Sequence, residues 1–357
     1  MSGQVCGDAG KEHEIIAASA AFQVPGPTYQ TLGPAGKDRP SAGTYSVTRE
    51  ASVSMPAPRA LISRGTRETL ANYAYLLPAA ICLGGTVLFP ILKAIYMSLY
   101  YNVLSRPQEY RFIGLGNYFR LIHDPTFWLT LKNSFVWVAC SVSIQFVLGF
   151  LGALILNAGF KGRAFWRTLN LLPWIIPGVV VGLVWEYLYQ PNYGPINDIL
   201  RQLGLIRVPI AWLSEPKFAM AAVIFTNIWR GIPFFTIMIL AGLQAIPDKV
   251  YEAAKVDGAS VVQRFWHVTL PLLRPIIIVA TATRIIWTFN YADLIFVMTN
   301  GGPANATQIT SSYTLLSAYT DLDFGYAATL SVVLLIIMLA FTAFYLRITK
   351  GVESVSE

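Results

Sequence analysis

The sequence predicts an all-α membrane protein with about six transmembrane helices, and three observations predict it. Only 13% of the 357 residues are charged and 55% are hydrophobic, whereas soluble domains average about 25% charged. Two runs, Tyr73 to Leu92 and Tyr326 to Tyr345, carry no charge at all. Each gives about 30 Å of helix, the depth of a hydrocarbon core. The basic residues behind the net charge of +7 sit beside the apolar runs, where they fix orientation across a bilayer.

The elements follow in order. Residues 1–66 are rich in Ser, Thr, Gly, Pro and Ala and show neither apolar period nor signal-peptide pattern. They read as a mostly disordered cytoplasmic leader. The transmembrane domain covers 67–350, and 351–357 form a short cytoplasmic tail. Six apolar segments lie within the domain, near 73–100, 131–156, 169–188, 218–246, 276–297 and 324–346. With the leader inside, twelve Lys and Arg fall on the leader edge, on 157–168, on 247–275 and on 347–350; seven fall on the outward side. That asymmetry places both termini in the cytoplasm. The outward loops run to about 25–30 residues, short of the ~50 that an independent domain needs. A scarce solute would have to be caught by another protein.

Composition also excludes functions. The basic residues flank membrane spans and form no nucleic-acid face. Cys6, Cys82 and Cys140 lack metal or disulfide spacing, and His13, His123 and His267 are too few for a metal centre. No G-x-x-x-x-G-K-S/T phosphate loop occurs, so an ATP-driven process would need a separate ATPase. The spans hold no nucleophile–base set for a membrane enzyme. An ion-coupled carrier is the main alternative, but the paired broken-helix repeats of such carriers are not evident.

The stretch between the fourth and fifth spans, 247–275, is the most informative. Pro247 and Asp248 end one helix and begin another, which Gly258 can terminate. Pro271 and Pro275 are expected to start the fifth span. The result is helix, turn, helix at the membrane surface, a knob able to dock into a partner. Its residues read Glu252-Ala253-Ala254, three residues including Asp257, Gly258, nine residues, then Val268-x-Leu270-Pro271. This pattern resembles the EAA loop of binding-protein-dependent ABC importer permeases, with Val in place of Ile. Further stretches resemble the carbohydrate-uptake branch, the maltose and glycerol-phosphate permeases: Phe112 to Phe119, Trp229 to Phe234 and Thr299 to Pro303. The leader has no counterpart in that pattern.

The resemblance implies a type I ABC importer permease fold, a multi-pass place in a bacterial cytoplasmic (inner) membrane, and no catalytic or metal residues. It implies no cofactor in this chain, with ATP and Mg bound by the partner. It further implies a second permease in a heterodimer, two copies of an ATP-binding subunit and an extracytoplasmic solute-binding protein. Glu252, Ala253, Ala254, Asp257, Gly258, Leu270 and Pro271 would couple to the ATPase, and the function would be alternating-access import of a sugar, oligosaccharide or sugar derivative.

Ionisable residues inside a span cost about 2.5–3.5 kcal/mol on insertion scales and normally face the bundle interior. Arg230 and Arg284 lie near the middles of the fourth and fifth spans, Asp293 further along the fifth and Glu186 near the outer end of the third. Arg230 and Asp293 could form an ion pair or line a solute path. Phe289, Asn290 and Asp293 have helical spacing and can share a face. By resemblance to the maltose permease, these three and Arg230, Gly231 and Phe234 would contact solute. Arg230 stands for an apolar residue of that pattern and Asp293 for an amide, which leaves room for an anionic sugar derivative. Trp174, Trp185, Tyr187 and Tyr189 suit an interfacial belt.

Overall fold

The computed structural model describes residues 75–353, with side chains to 349; the predicted leader and most of the tail lie outside them. Twelve helices of seven residues or more follow in order. They are α1 (Tyr75–Ser98), α2 (Gly116–Ile122), α3 (Pro125–Asn157), α4 (Arg163–Ile175), α5 (Gly178–Leu188), α6 (Pro195–Gln202), α7 (Pro216–Ala245), α8 (Asp248–Val256), α9 (Val261–Phe289), α10 (Asp293–Thr299), α11 (Thr310–Tyr319) and α12 (Phe324–Glu353). A two-stranded antiparallel ribbon, β1 (Tyr100–Tyr101) with β2 (Arg111–Phe112), follows α1.

Among the described residues, five helices are long and apolar enough to cross a membrane: α1, α3, α7, α9 and α12. The third predicted span is two helices, α4 and α5, bent by 93° at their junction. The break corrects the expectation of one continuous helix over 169–188. Its cause is local: Pro177 disfavours helical backbone at Ile176, whose ψ is 129°, and it supplies no N–H of its own.

The core sits where α3, α7 and α9 meet. Gly149 and Gly152, one turn apart on α3, face α7. A Cβ on Gly149 would collide with Phe235, and one on Gly152 would press on the Thr236 hydroxyl. Small residues allow this approach, because lipid offers no hydrophobic force to drive helices together. Polar ties fix the register. Fully buried Gln145 on α3 donates to the Asn227 carbonyl of α7 at 2.7 Å and accepts from Arg284 Nε of α9 at 2.7 Å. Buried Trp137 donates its indole N–H to the Thr288 carbonyl at 2.9 Å, which the Tyr291 N–H also reaches at 3.2 Å.

A second cluster clasps the ends of α2, α3, α11 and α12. Asp124 caps α3 by accepting from the Thr126 N–H at 2.8 Å, and it also accepts from Tyr313 at 2.7 Å and Tyr326 at 2.5 Å. Arg120 bonds Asp323 at 2.6 Å and lies 4.2 Å over the Tyr326 ring. Burial would raise the Asp124 pKa, but the bonds from Tyr326, Tyr313 and the backbone outweigh it and hold it below the ordinary carboxylate value. A depressed folded pKa stabilises above the unfolded value, and that contribution is lost as pH falls through the folded one. The melting difference between the parent and Asp124→Asn should therefore hold steady above about pH 5 and shrink below about pH 4. A difference independent of pH in thermal scans would contradict this.

Candidate functional site

The loop after α7 is built as its residues suggest. Helix α7 stops at Ala245 because Ile246, ahead of Pro247, takes an extended backbone with ψ 121°. Asp248 then opens α8 where its charge favours the helix N-terminus. Gly258 adopts φ +79°, and the N–H groups of Gly258 and Ala259 return to the Lys255 and Ala254 carbonyls at 3.0 and 2.9 Å, a left-handed helix cap. Ser260 and Gln263 form a capping box that starts α9. The Tyr251 hydroxyl meets Thr269 Oγ1 at 3.2 Å and pins α8 against α9.

The fifth span differs from expectation here. Pro271 and Pro275 do not begin it; α9 runs from Val261 through both. Pro271 cannot donate, and the helix widens to a π turn over Phe265–Thr269, with Leu270 N–H bonding the Phe265 carbonyl. Leu270 packs against the core and Pro271 is exposed.

The knob presents Glu252, Ala253, Asp257 and Gly258 at its surface, with Ala254 half-buried. Around the turn stands an exposed apolar rim of Val256 (88%), Val261 (72%), Val262 (65%) and Trp266 (59%). Isolated apolar residues are common on surfaces, but four this exposed within 256–266 make the turn a candidate interaction face. The rim escaped the sequence reading, although Val256 and Val261 flanking the glycine turn carried the signal.

The structure divides the six predicted solute-path residues. Arg230 lines a cavity of about 230 Å³ with Trp174, Arg284, Trp287, Thr288 and Tyr291. Gly231 and Phe234 stand behind it. A Cβ on Gly231 would strike Arg284 and Gln145, and Phe234 packs on Trp287 and Trp174 at 5.3 and 6.3 Å between ring centroids. Asn290 and Asp293 line a second cavity of about 530 Å³ with Ser311, Thr314 and Ser331. Phe289 is 3% exposed in the core and packs edge-on against the exposed Phe135.

The shared helical face of Phe289, Asn290 and Asp293 is thus a correction: α9 ends at Phe289, Asn290 caps it, and Asp293 begins α10. The Arg230–Asp293 ion pair does not form. The three ion pairs among the described residues are Arg106–Glu109, Arg120–Asp323 and Arg201–Asp198, and Arg230 instead lies 5.0 Å from the Tyr291 ring centroid. The belt reading changes as well. Trp174 lines the smaller cavity, and Trp185 and Tyr189 are buried in the core, while Tyr187 is exposed. Trp287, Thr288 and Tyr291 were missed because their role depends on where α9 breaks.

Residues 145–354 match the family described as the binding-protein-dependent transport system inner membrane component. The chain belongs to this family. Among its relatives, the trehalose/maltose transport system permease MalF of Thermococcus litoralis is 39% identical over 80% of this chain and 95% of its own length. The sulfoquinovosyl glycerol transport system permease SmoG of Agrobacterium fabrum is 37% identical over 77% of this chain and 89% of its own. The lactose transport system permease LacF of Rhizobium radiobacter is 33% identical over 77% and 93%. In fold, the chain superposes on a subunit of a bacterial ABC transporter for the acidic polysaccharide alginate, with TM-score 0.67 and 25% identity over 80% of this chain and 98% of that one. A second alginate transporter structure, bound to its periplasmic protein, gives TM-score 0.70 at 22% identity, covering 81% and 97%. This binding-protein-dependent permease is therefore a multi-pass inner-membrane component with the ABC importer fold, the helical membrane class that the sequence predicts.

Proposed function

We propose that this permease imports a sugar, oligosaccharide or sugar derivative by alternating access, driven by ATP hydrolysed in partner subunits. The observation that carries the reading is the knob at 248–264, a capped, pinned helix–turn–helix with an exposed apolar rim. Its Glu252-Ala253-Ala254 and Gly258 stand at the spacing of the EAA loop. The sugar class draws on relatives named for trehalose/maltose, lactose and sulfoquinovosyl glycerol.

In this mechanism, two ATP-binding subunits close on ATP and carry the knob with them. Motion passes along α9, whose inner end is the knob and whose outer half walls both cavities. A second, similar permease completes the pathway, and an extracytoplasmic binding protein delivers the solute. Inverting a conformational ratio of 1:99 requires about 5.5 kcal/mol of differential binding, which the nucleotide-bound partner supplies.

The test is proximity in intact membranes. A Lys255→Cys variant, with Cys6, Cys82 and Cys140 replaced by Ser, should crosslink to the ATP-binding subunit, and ATP should change the yield. Complete absence of that crosslink, in membranes holding all subunits, would remove the coupling role of the knob.

A further inference from the structure

The smaller cavity is lined by side chains that donate hydrogen bonds and by aromatic faces. Two guanidiniums, two indoles, the Thr288 hydroxyl and the Tyr291 phenol make up its wall, with no carboxylate and no amide oxygen. Arg284 and Thr288 are 4% and 2% exposed. Arg230 Nε, Thr288 Oγ1 and Tyr291 Oη are buried with no hydrogen-bond partner among the described residues. Arg284 gives its Nε to Gln145, a neutral acceptor. Neither guanidinium meets a carboxylate, and the Tyr291 and Phe234 rings, 5.0 and 5.9 Å away, offset only part of their charge.

A guanidinium stays protonated, and two like charges, Arg284 buried and Arg230 half-buried, demand a countercharge. A neutral sugar hydroxyl asks for acceptors as well as donors, and here only the Thr288 and Tyr291 hydroxyls can accept. The acceptors Asn290, Asp293 and Ser311 line the other cavity. At about 230 Å³, the space lies below the ~300 Å³ at which pockets for drug-sized molecules begin, and suits one ring or one charged group.

The geometry points to an anion site: the cavity between Arg230 and Arg284 holds the carboxylate, sulfonate or phosphate of an acidic sugar, with the ring against Trp174 and Trp287. The inference rests on the import function proposed above and names its solute as acidic.

Binding to the purified complete transporter in lipid nanodiscs tests it, read by tryptophan fluorescence, since two indoles wall the cavity. Methyl glucuronide should bind at least about tenfold tighter than methyl glucoside. Arg230→Gln should erase the preference and Arg230→Lys restore most of it, which a merely structural role would not do. Equal binding of the two glycosides overturns the proposal. So does a preference that survives both Arg230→Gln and Arg284→Gln, or failure of every anion to bind, as when the second permease supplies the countercharge. Saturation by chloride or sulfate alone, with no gain from a sugar ring, assigns the site to a free inorganic anion and also overturns it. The Lys255→Cys crosslink is independent of these outcomes, so failure of the import reading is distinguishable from failure of the anion site.

Discussion

Replacing Gly258 with valine should cut ATP-driven uptake at least about tenfold while the chain still inserts in the membrane. Gly258 holds φ +79°, a conformation that costs an L-residue roughly 1–2 kcal/mol, more if β-branched; each 1.4 kcal/mol corresponds to about a factor of ten. A Cβ there would meet nothing within 4 Å, so the penalty comes from backbone conformation and not from a clash. The series is therefore ordered. Asn, which tolerates the left-handed region, should be mildest, Ala intermediate and Val worst. Uptake into proteoliposomes, measured beside basal ATP hydrolysis, checks it, and full uptake by the valine variant would refute the rigid-knob account.

The second large effect is expected at Gln145. It is fully buried and joins three helices through the Asn227 carbonyl and Arg284 Nε. Gln145→Leu keeps similar volume but leaves a buried guanidinium without its acceptor, a loss of about 2–3 kcal/mol for a hydrogen bond to a charged group. Thermal unfolding in detergent should show it. The double variant Gln145→Leu/Arg284→Met, which removes both partners, should recover part of the loss, because unpaired burial and not the missing bond is the larger penalty. A single variant as stable as the parent would mean that Arg284 has another acceptor.

Membrane class and the helix–turn–helix after α7 were legible because short-range rules govern them. An uncharged 20-residue run has few alternatives to spanning a bilayer, and Pro247, Gly258 and Ser260 act on their own backbone within a few residues. The cavities were less legible. Phe289, Asn290 and Asp293 share a helical face only if α9 continues, and nothing in their spacing reveals that it ends at Phe289. The 93° bend needed Pro177 to be read as a breaker, yet Pro173 and Pro233 lie within helices nearby, where tertiary packing tolerates them. That Arg230 would face Tyr291 and not Asp293 depends on long-range packing.

The bend between α4 and α5 has a mechanical meaning. Helix α4 is seated on α7, whereas α5 is seated chiefly on α10, and no backbone ladder runs unbroken through the elbow. Two half-length levers with different anchorages replace one stiff rod. Tilting one lever need not drag the other, so the two half-helices are free to shift separately with the helices that anchor them.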